Sequence, residues 1–219
     1  MLEIFIYAFG IMYTPGPVNL LSLNAGLKGH AMASARFCVG VGCAMLLLFL
    51  AFGYTGVWLI EPSYQLVISF VGSIYIAYLG FKITRASLQS NASPGAVDNR
   101  ADDSVYSNTL TFKNGLLMQL LNPKSFIVIL PIVTVQFPAA QVSGGGIFIT
   151  AFLLSCLAFG APFCYLLVGV RLGKLMGLNE IGGSQPLRYI NLLLAVLLLY
   201  IAGDIFYYHV FSKLMLIGV

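Results

Sequence analysis

Residues 125–170 read SFIVILPIVTVQFPAAQVSGGGIFITAFLLSCLAFGAPFCYLLVGV, 46 consecutive positions without an Asp, Glu, Lys or Arg. A helix needs about 20 apolar residues to cross a bilayer, so this run is long enough for two crossings. Pro138–Gly146 (PAAQVSGGG) supplies the turn residues between them. Working outward, further charge-free runs cover Ile4–Leu27 (24 residues), Phe37–Ile60 (24) and Pro62–Phe81 (20), each the length of one span. A run of 15 residues, Tyr189–Gly203, continues apolar past Asp204 to Tyr208. The pattern predicts six helices over roughly 4–25, 36–60, 63–83, 115–136, 147–170 and 187–208. Barrel strands would show alternating segments of about 10 residues, and the sequence has none.

The composition agrees. Of 219 residues, 59% are hydrophobic and 8% charged, with a mean hydropathy of +0.94. Soluble domains run about 45–50% apolar and about 25% charged, so a water-soluble globule is excluded. Disorder is excluded too, because it needs low hydrophobicity and high net charge. An integral membrane protein remains. The net charge of +4 is too small and scattered for nucleic-acid binding. The first run has no basic residue before Lys28 and exceeds a signal core of about 7–15 residues, so it is expected to be a retained helix.

The bases orient the chain. Lys28 and Arg36 flank the first loop, Lys82, Arg85, Arg100 and Lys113 the third, and Arg171, Lys174 and Arg188 the fifth. The opposite side carries only Lys213. A nine-to-one excess places the three basic loops in the cytoplasm and both termini on the periplasmic side. The one long polar segment, within 85–112 and rich in Ser, Asn, Asp and Gly, reads as a cytoplasmic linker. It divides the chain into a three-helix unit over 1–84 and a second over 113–219. Three spans per unit make the fourth helix run opposite to the first, so related units form an inverted-topology repeat. The expected fold is therefore an all-α, six-helix, 3+3 inverted repeat.

One feature recurs in both units. The first helix carries Thr14-Pro15-Gly16-Pro17-Val18-Asn19 and the fourth carries Asn122-Pro123-Lys124. A proline removes the bond to the carbonyl four residues back, so Pro15, Pro17 and Pro123 release the carbonyls of Ile11, Tyr13 and Gln119. Pro15 lies about 17 Å from one end of its span and Pro123 about 12 Å from one end of its own, near the middle of a ~30 Å core. Released carbonyls at that depth are tolerated only where protein or a water-filled cavity receives them. Paired interruptions at related positions point to a transport site, whereas a lone proline such as Pro131 or Pro162 reads as a packing kink.

These two motifs resemble those of the LysE/RhtB amino-acid exporters, and the resemblance covers the whole chain: length, six spans and a polar loop after the third. It implies efflux of amino acids or close derivatives across a bacterial inner membrane, driven by the proton gradient, with no cofactor. Family members often have a second Asn directly after Pro-Gly-Pro, where this chain has Val18 before Asn19. Some also place a carboxylate in the second span, and residues 36–61 enclose none before Glu61.

The candidate substrate-binding residues are Pro15, Gly16, Pro17, Asn19, Gln119, Asn122, Pro123 and Lys124. Lys124 is the most telling, since a lysine deep in a span costs about 2.5–3.5 kcal/mol on insertion scales. It is placed to pair a zwitterion's carboxylate or respond to a proton; alternatively its long stem lets the ammonium snorkel to the cytoplasmic interface. Asn19, Asn122 and Gln119 can satisfy released carbonyls, bind a substrate ammonium, or act as polar glue between helices. Half-helix amino ends are expected to face the substrate carboxylate, and released carbonyls its ammonium. Asp204, the one carboxylate inside a span, is the proton-coupling candidate, although beside Tyr207 and Tyr208 it also fits an aromatic belt at the water interface. Ser69, Ser73 and Ala77 form a small-residue stripe, and Gly169, Gly173 and Gly177 repeat that spacing but run toward a loop.

Two other classes compete with the exporter. A membrane thiol–disulfide carrier would need reactive cysteines beside the breaks, whereas Cys38, Cys43, Cys156 and Cys164 lie in the second and fifth spans without a Cys-x-x-Cys. A passive channel would show flux insensitive to uncouplers. His30 and His209 are isolated, so the sequence shows no metal site. Self-association and the identity of the solute are open at this level.

Overall fold

A computed structural model describes residues 1–55, 62–89, 110–177 and 184–211. All regular structure among them is helical. The elements are α1 (Leu2–Met12), α2 (Pro17–Leu27), α3 (Ala31–Thr55), α4 (Pro62–Gln89), α5 (Phe112–Leu120), α6 (Pro123–Pro131), α7 (Gly145–Leu175) and α8 (Ser184–Ile205). A π turn, Ile132–Gln136, prolongs α6 into Phe137–Ala139, and a second, Phe206–Phe211, follows α8. Among the described residues, Ser34–Thr55 and Gly145–Leu175 are each long and apolar enough to cross a membrane. The pairs α1+α2 and α5+α6 pass the same test as bent units, with bends of 62° and 63°, which raises the count to four.

Each bend is written locally. Pro15 and Pro17 cannot continue α1, so Gly16 turns extended (φ −160°) and Pro17 opens α2 at the first helical position, where its missing N–H is harmless. At the second bend Asn122 caps α6, its side chain accepting the Lys124 N–H at 3.1 Å, with Pro123 at the first helical position. Gly29 (φ 80°) ends α2 in a left-handed turn, and the His30 N–H returns to the Ala25 carbonyl at 3.0 Å.

Several boundaries differ from those the sequence predicts. Helix α4 runs six residues past 83, so 85–89 are helical and not linker, while 90–109 lie outside the described residues. Helix α7 spans Gly145–Leu175 where 147–170 is predicted, which adds Gly173 to the helix that already holds Gly169 and leaves Gly177 (φ 60°) just beyond its end. The reason is that Arg171 and Lys174 are good helix formers, and charge marks where a span leaves the apolar layer, not where hydrogen bonding stops.

Those glycines bring backbones together. Helix α2 lies along α7, where a Cβ at Gly26 would collide with the Leu166 carbonyl and one at Gly169 with the Leu23 carbonyl. Helix α3 meets α5 in the same way through Gly40 and Gly115, and Gly72 of α4 abuts the Leu121 carbonyl at the second bend. Small residues permit this in lipid, where helices associate by contact and not by exclusion of water. All of these contacts but Gly72 lie at the end of the molecule where α2 turns into α3.

The buried core is correspondingly two clusters. One packs Ile4, Ala8 and Met12 of α1 against Met45 and Phe49 of α3, Ile129 and Ile132 beyond the second bend, and Leu154 and Ala158 of α7. The other gathers Val18 and Leu21 of α2, Val41 of α3, Ile76 and Leu79 of α4, and Leu194, Ala195 and Leu198 of α8. Large apolar side chains also point outward, Leu193 at 70% exposure and Ile149 at 62% among them. A contiguous apolar exterior of this kind suits acyl chains as its solvent.

Candidate functional site

The two bends face each other at the junction of the two core clusters. Between them lies a narrow, partly open cleft. Its polar wall is Asn19 from the first bend with Gln119, Asn122 and Lys124 from the second, and Gly16 stands beside them. Its apolar wall is Met12, Val18, Val41, Met45 and Val128, closed on one side by Ala158, Ala161 and Pro162 of α7. Residues more than a hundred positions apart thus share one cavity.

The link between the bends is direct. Lys124 donates from Nζ to the carbonyl of Thr14 at 2.8 Å. The ammonium therefore sits at the first bend. Asn19 donates from Nδ2 to the Met12 and Thr14 carbonyls, each at 2.9 Å, so the Thr14 carbonyl serves two donors. A Cβ built on Gly16 would come within 3.4 Å of Lys124 Nζ, which places the cation at the amino end of α2. The first N–H groups of a helix have no intrahelical acceptor and carry the positive end of its dipole. A lysine ammonium next to such an end leaves two positive groups facing one space. Among the described residues no carboxylate pairs with Lys124; Glu3 and Asp204 are exposed and neither lines the cleft.

The carbonyls released at the bends do not stand open to a substrate ammonium in this structure, contrary to the expectation. Thr14 Oγ1 donates to the Ile11 carbonyl at 2.7 Å, Tyr165 OH to that of Tyr13 at 3.0 Å, and Ser125 Oγ to that of Gln119 at 2.7 Å. The rule extends to Pro131, which releases the Ile127 carbonyl: Tyr7 OH of α1 takes it at 2.8 Å. A hydroxyl is the natural repair, because an unpaired carbonyl in an apolar layer costs several kcal/mol.

Of the sequence candidates, the structure brings Gly16, Asn19, Gln119, Asn122 and Lys124 to the cleft. Pro15 is exposed, Pro17 is buried outside the lining, and Pro123 faces a separate groove with Tyr7 and Phe126; these three shape the bends. Asp204 lies apart, exposed on α8. The reading that no cysteine neighbours a bend is corrected by Cys164, one turn along α7 from Gly160, where a Cβ would meet the Tyr13 hydroxyl. Its nearest helical companion, Cys156, is eight residues away on α7, about 12 Å along the axis. Sequence reasoning missed Met12, Val41, Met45 and the α7 wall; Pro162 was visible as a signal but reads alone as a kink.

A family model described as LysE type translocator matches residues 9–209. A cysteine/O-acetylserine efflux protein of Escherichia coli O139:H28 is 25% identical over 197 residues, which is 89% of this chain and 91% of that protein. A leucine efflux protein of Salmonella choleraesuis is 32% identical over 168 residues, 73% of this chain and 72% of that protein, and its counterpart in Salmonella typhimurium matches equally. No solved structure matches the chain.

Proposed function

The chain belongs to the LysE type translocator family, and from that premise we propose that it exports amino acids or close derivatives across a bacterial inner membrane as a proton-coupled secondary transporter. Its similarity to proteins named for cysteine, O-acetylserine and leucine efflux supports an amino-acid solute. In this reading six spans form an inverted 3+3 repeat, the basic loops and the 85–112 linker face the cytoplasm, and both termini face the periplasm. The nine-to-one distribution of bases supports that orientation.

One observation carries the proposal. The Lys124 ammonium bridges to the first bend at 2.8 Å, beside the amino end of α2, in a cleft where no described carboxylate neutralises it. A substrate carboxylate entering that space meets a charge-assisted donor and the positive end of a helix together. Asn122 and Gln119 offer neutral hydrogen-bonding groups at its side. Alternating access then follows from rocking one unit against the other about the two bends, with α1 and α6 moving against a glycine-packed opposite end.

The test is retention of a panel of amino acids in cells with and without the gene, each with and without a proton uncoupler. The expected result is lower intracellular accumulation of at least one amino acid when the gene is present, lost on uncoupling. Accumulation that never depends on the gene refutes export; export that survives the uncoupler refutes proton coupling.

A further inference from the structure

The two ends of the molecule are closed by different means. Where α2 turns into α3, backbone meets backbone: a Cβ on Gly26, Gly40, Gly115, Gly169 or Gly173 would strike a carbonyl of the facing helix. At the opposite end, where α6 leads on toward α7, Gly10 and Gly145 have no atom within 4 Å of an added Cβ, and one on Gly53 would meet only the Ile147 and Phe137 side chains. That end is shut by side chains instead. Ile4 and Ala8 of α1, Phe52 of α3, and Ile132, Phe137 and Ile147 lie buried in one cluster. The same cluster holds Met12 and Val128, which line the cleft, so α1 and α6 stand between the cleft and this end.

Among the described residues, two side-chain hydrogen bonds join the two units here, each from a tyrosine hydroxyl. Tyr7 of α1 donates to the Ile127 carbonyl at 2.8 Å, and Tyr54 of α3 to the Gly144 carbonyl at 3.0 Å. The Ile127 carbonyl is open to Tyr7 because Pro131 has no N–H to offer it. Directly after Pro131 the chain slips into the π turn Ile132–Gln136, where the Phe137 N–H bonds to the Ile132 carbonyl five residues back. Such turns are rare and concentrate where a helix has work to do beyond spanning. Gln136, the last residue of this one, has its Oε1 buried without a hydrogen-bond partner. An orphaned amide oxygen penalises the closed arrangement, and the penalty ends once the segment parts and water reaches it.

We propose that α1 and the segment Ile127–Gln136 form a gate, closed in this structure, which Tyr7 latches on the Ile127 carbonyl and the unpaired Gln136 oxygen biases toward opening. The gate rests on the exporter reading and names the part that moves in it. Layers of side chains can part along their boundary, whereas interlocked backbones at the glycine end hold their register. Tyr7 stands about 8 Å from the amino end of α1, so water entering as the gate opens satisfies both its hydroxyl and the carbonyl it leaves. Latch and orphan therefore act in opposite directions on one equilibrium.

The experiment uses the full-length chain in lipid nanodiscs, where both faces meet the reagent, with Cys38, Cys43, Cys156 and Cys164 replaced by Ala and a reporter, Val128→Cys, in the cleft. Met12→Cys serves as a second reporter. The rate of labelling by a membrane-impermeant maleimide reads the open population. Tyr7→Phe should raise it by about 2- to 12-fold, the worth of one hydrogen bond. Gln136→Met, which removes the orphaned oxygen at similar volume, should lower it by about fivefold or more. Pro131→Ala returns a helix N–H to the Ile127 carbonyl, so adding Tyr7→Phe to it should change the rate by less than about twofold. Labelling within twofold of the parent in Tyr7→Phe, or raised or unchanged in Gln136→Met, overturns the gate, and so does a full Tyr7→Phe effect in the Pro131→Ala background. Counterflow of the amino-acid panel is run on the same parent in liposomes. Exchange of none of them overturns the exporter reading, while intact exchange with unmoved labelling overturns the gate alone.

Discussion

Replacing Lys124 by Met removes the ammonium while keeping a stem of similar length. Its consequences for the fold and for the substrate separate cleanly. Lys124 Nζ gives up one hydrogen bond, to the Thr14 carbonyl at 2.8 Å, but that carbonyl keeps the Asn19 Nδ2 donor at 2.9 Å and is not orphaned. Insertion becomes easier, since a lysine at depth costs about 2.5–3.5 kcal/mol. Membrane abundance should therefore hold or rise. The substrate carboxylate loses a charged hydrogen bond worth about 1.5–3 kcal/mol, which raises KM by about 10- to 140-fold. The assay is counterflow in liposomes at matched protein density, with KM and maximal rate fitted separately, and Lys124→Arg as the charge-preserving comparison. Arg should recover part of the affinity. A KM for Lys124→Met within twofold of the parent, at equal abundance, would refute the carboxylate role.

Three further outcomes test other parts of the structure. Gly16→Ala meets no steric obstacle, since its backbone is extended and the new Cβ stands 3.4 Å from Lys124 Nζ; abundance should be unchanged, yet the methyl fills the space between the ammonium and α2 and should raise KM by about 2- to 12-fold. Gly169→Ala drives a methyl into the Leu23 carbonyl and to 3.0 Å from Gly26 Cα, backbone that cannot yield, so the apparent melting temperature in detergent should fall by about 2–12 °C; an unchanged melting curve would contradict the close helix approach. Asp204→Asn should preserve both efflux and its uncoupler sensitivity, because the carboxylate is exposed on α8 away from the cleft, and loss of that sensitivity would reinstate it as the proton carrier.

Much of this was legible in the chain, for identifiable reasons. Thr14-Pro15-Gly16-Pro17 and Asn122-Pro123 announce their bends because a proline's lost N–H is a property of one residue and its immediate neighbours. Lys124 announced itself because a charge at that depth is costly anywhere in a span. The value of the α7 glycines lies in what approaches them: Gly173 falls past the predicted span until Leu27 is seen against it, and Gly169 within the span shows its use only when Leu23 and Gly26 arrive. Pro162 reads as an ordinary kink until Ala158 is seen to share the cleft with residues of both bends. Cys164 similarly gains a neighbour, Tyr13, from another helix.

The division follows the range of the forces involved. Apolar run length, the spacing of base-rich loops along the chain and the sites of broken backbone are local sums, and the sequence alone determined them: a membrane chain interrupted once in each half. Which hydroxyl repairs which carbonyl, and that Lys124 reaches across 110 positions to Thr14, depend on how segments stack. Only the tertiary structure decided those pairings, because hydrogen bonds act over about 3 Å and are specified by the final approach of surfaces, which no local pattern encodes.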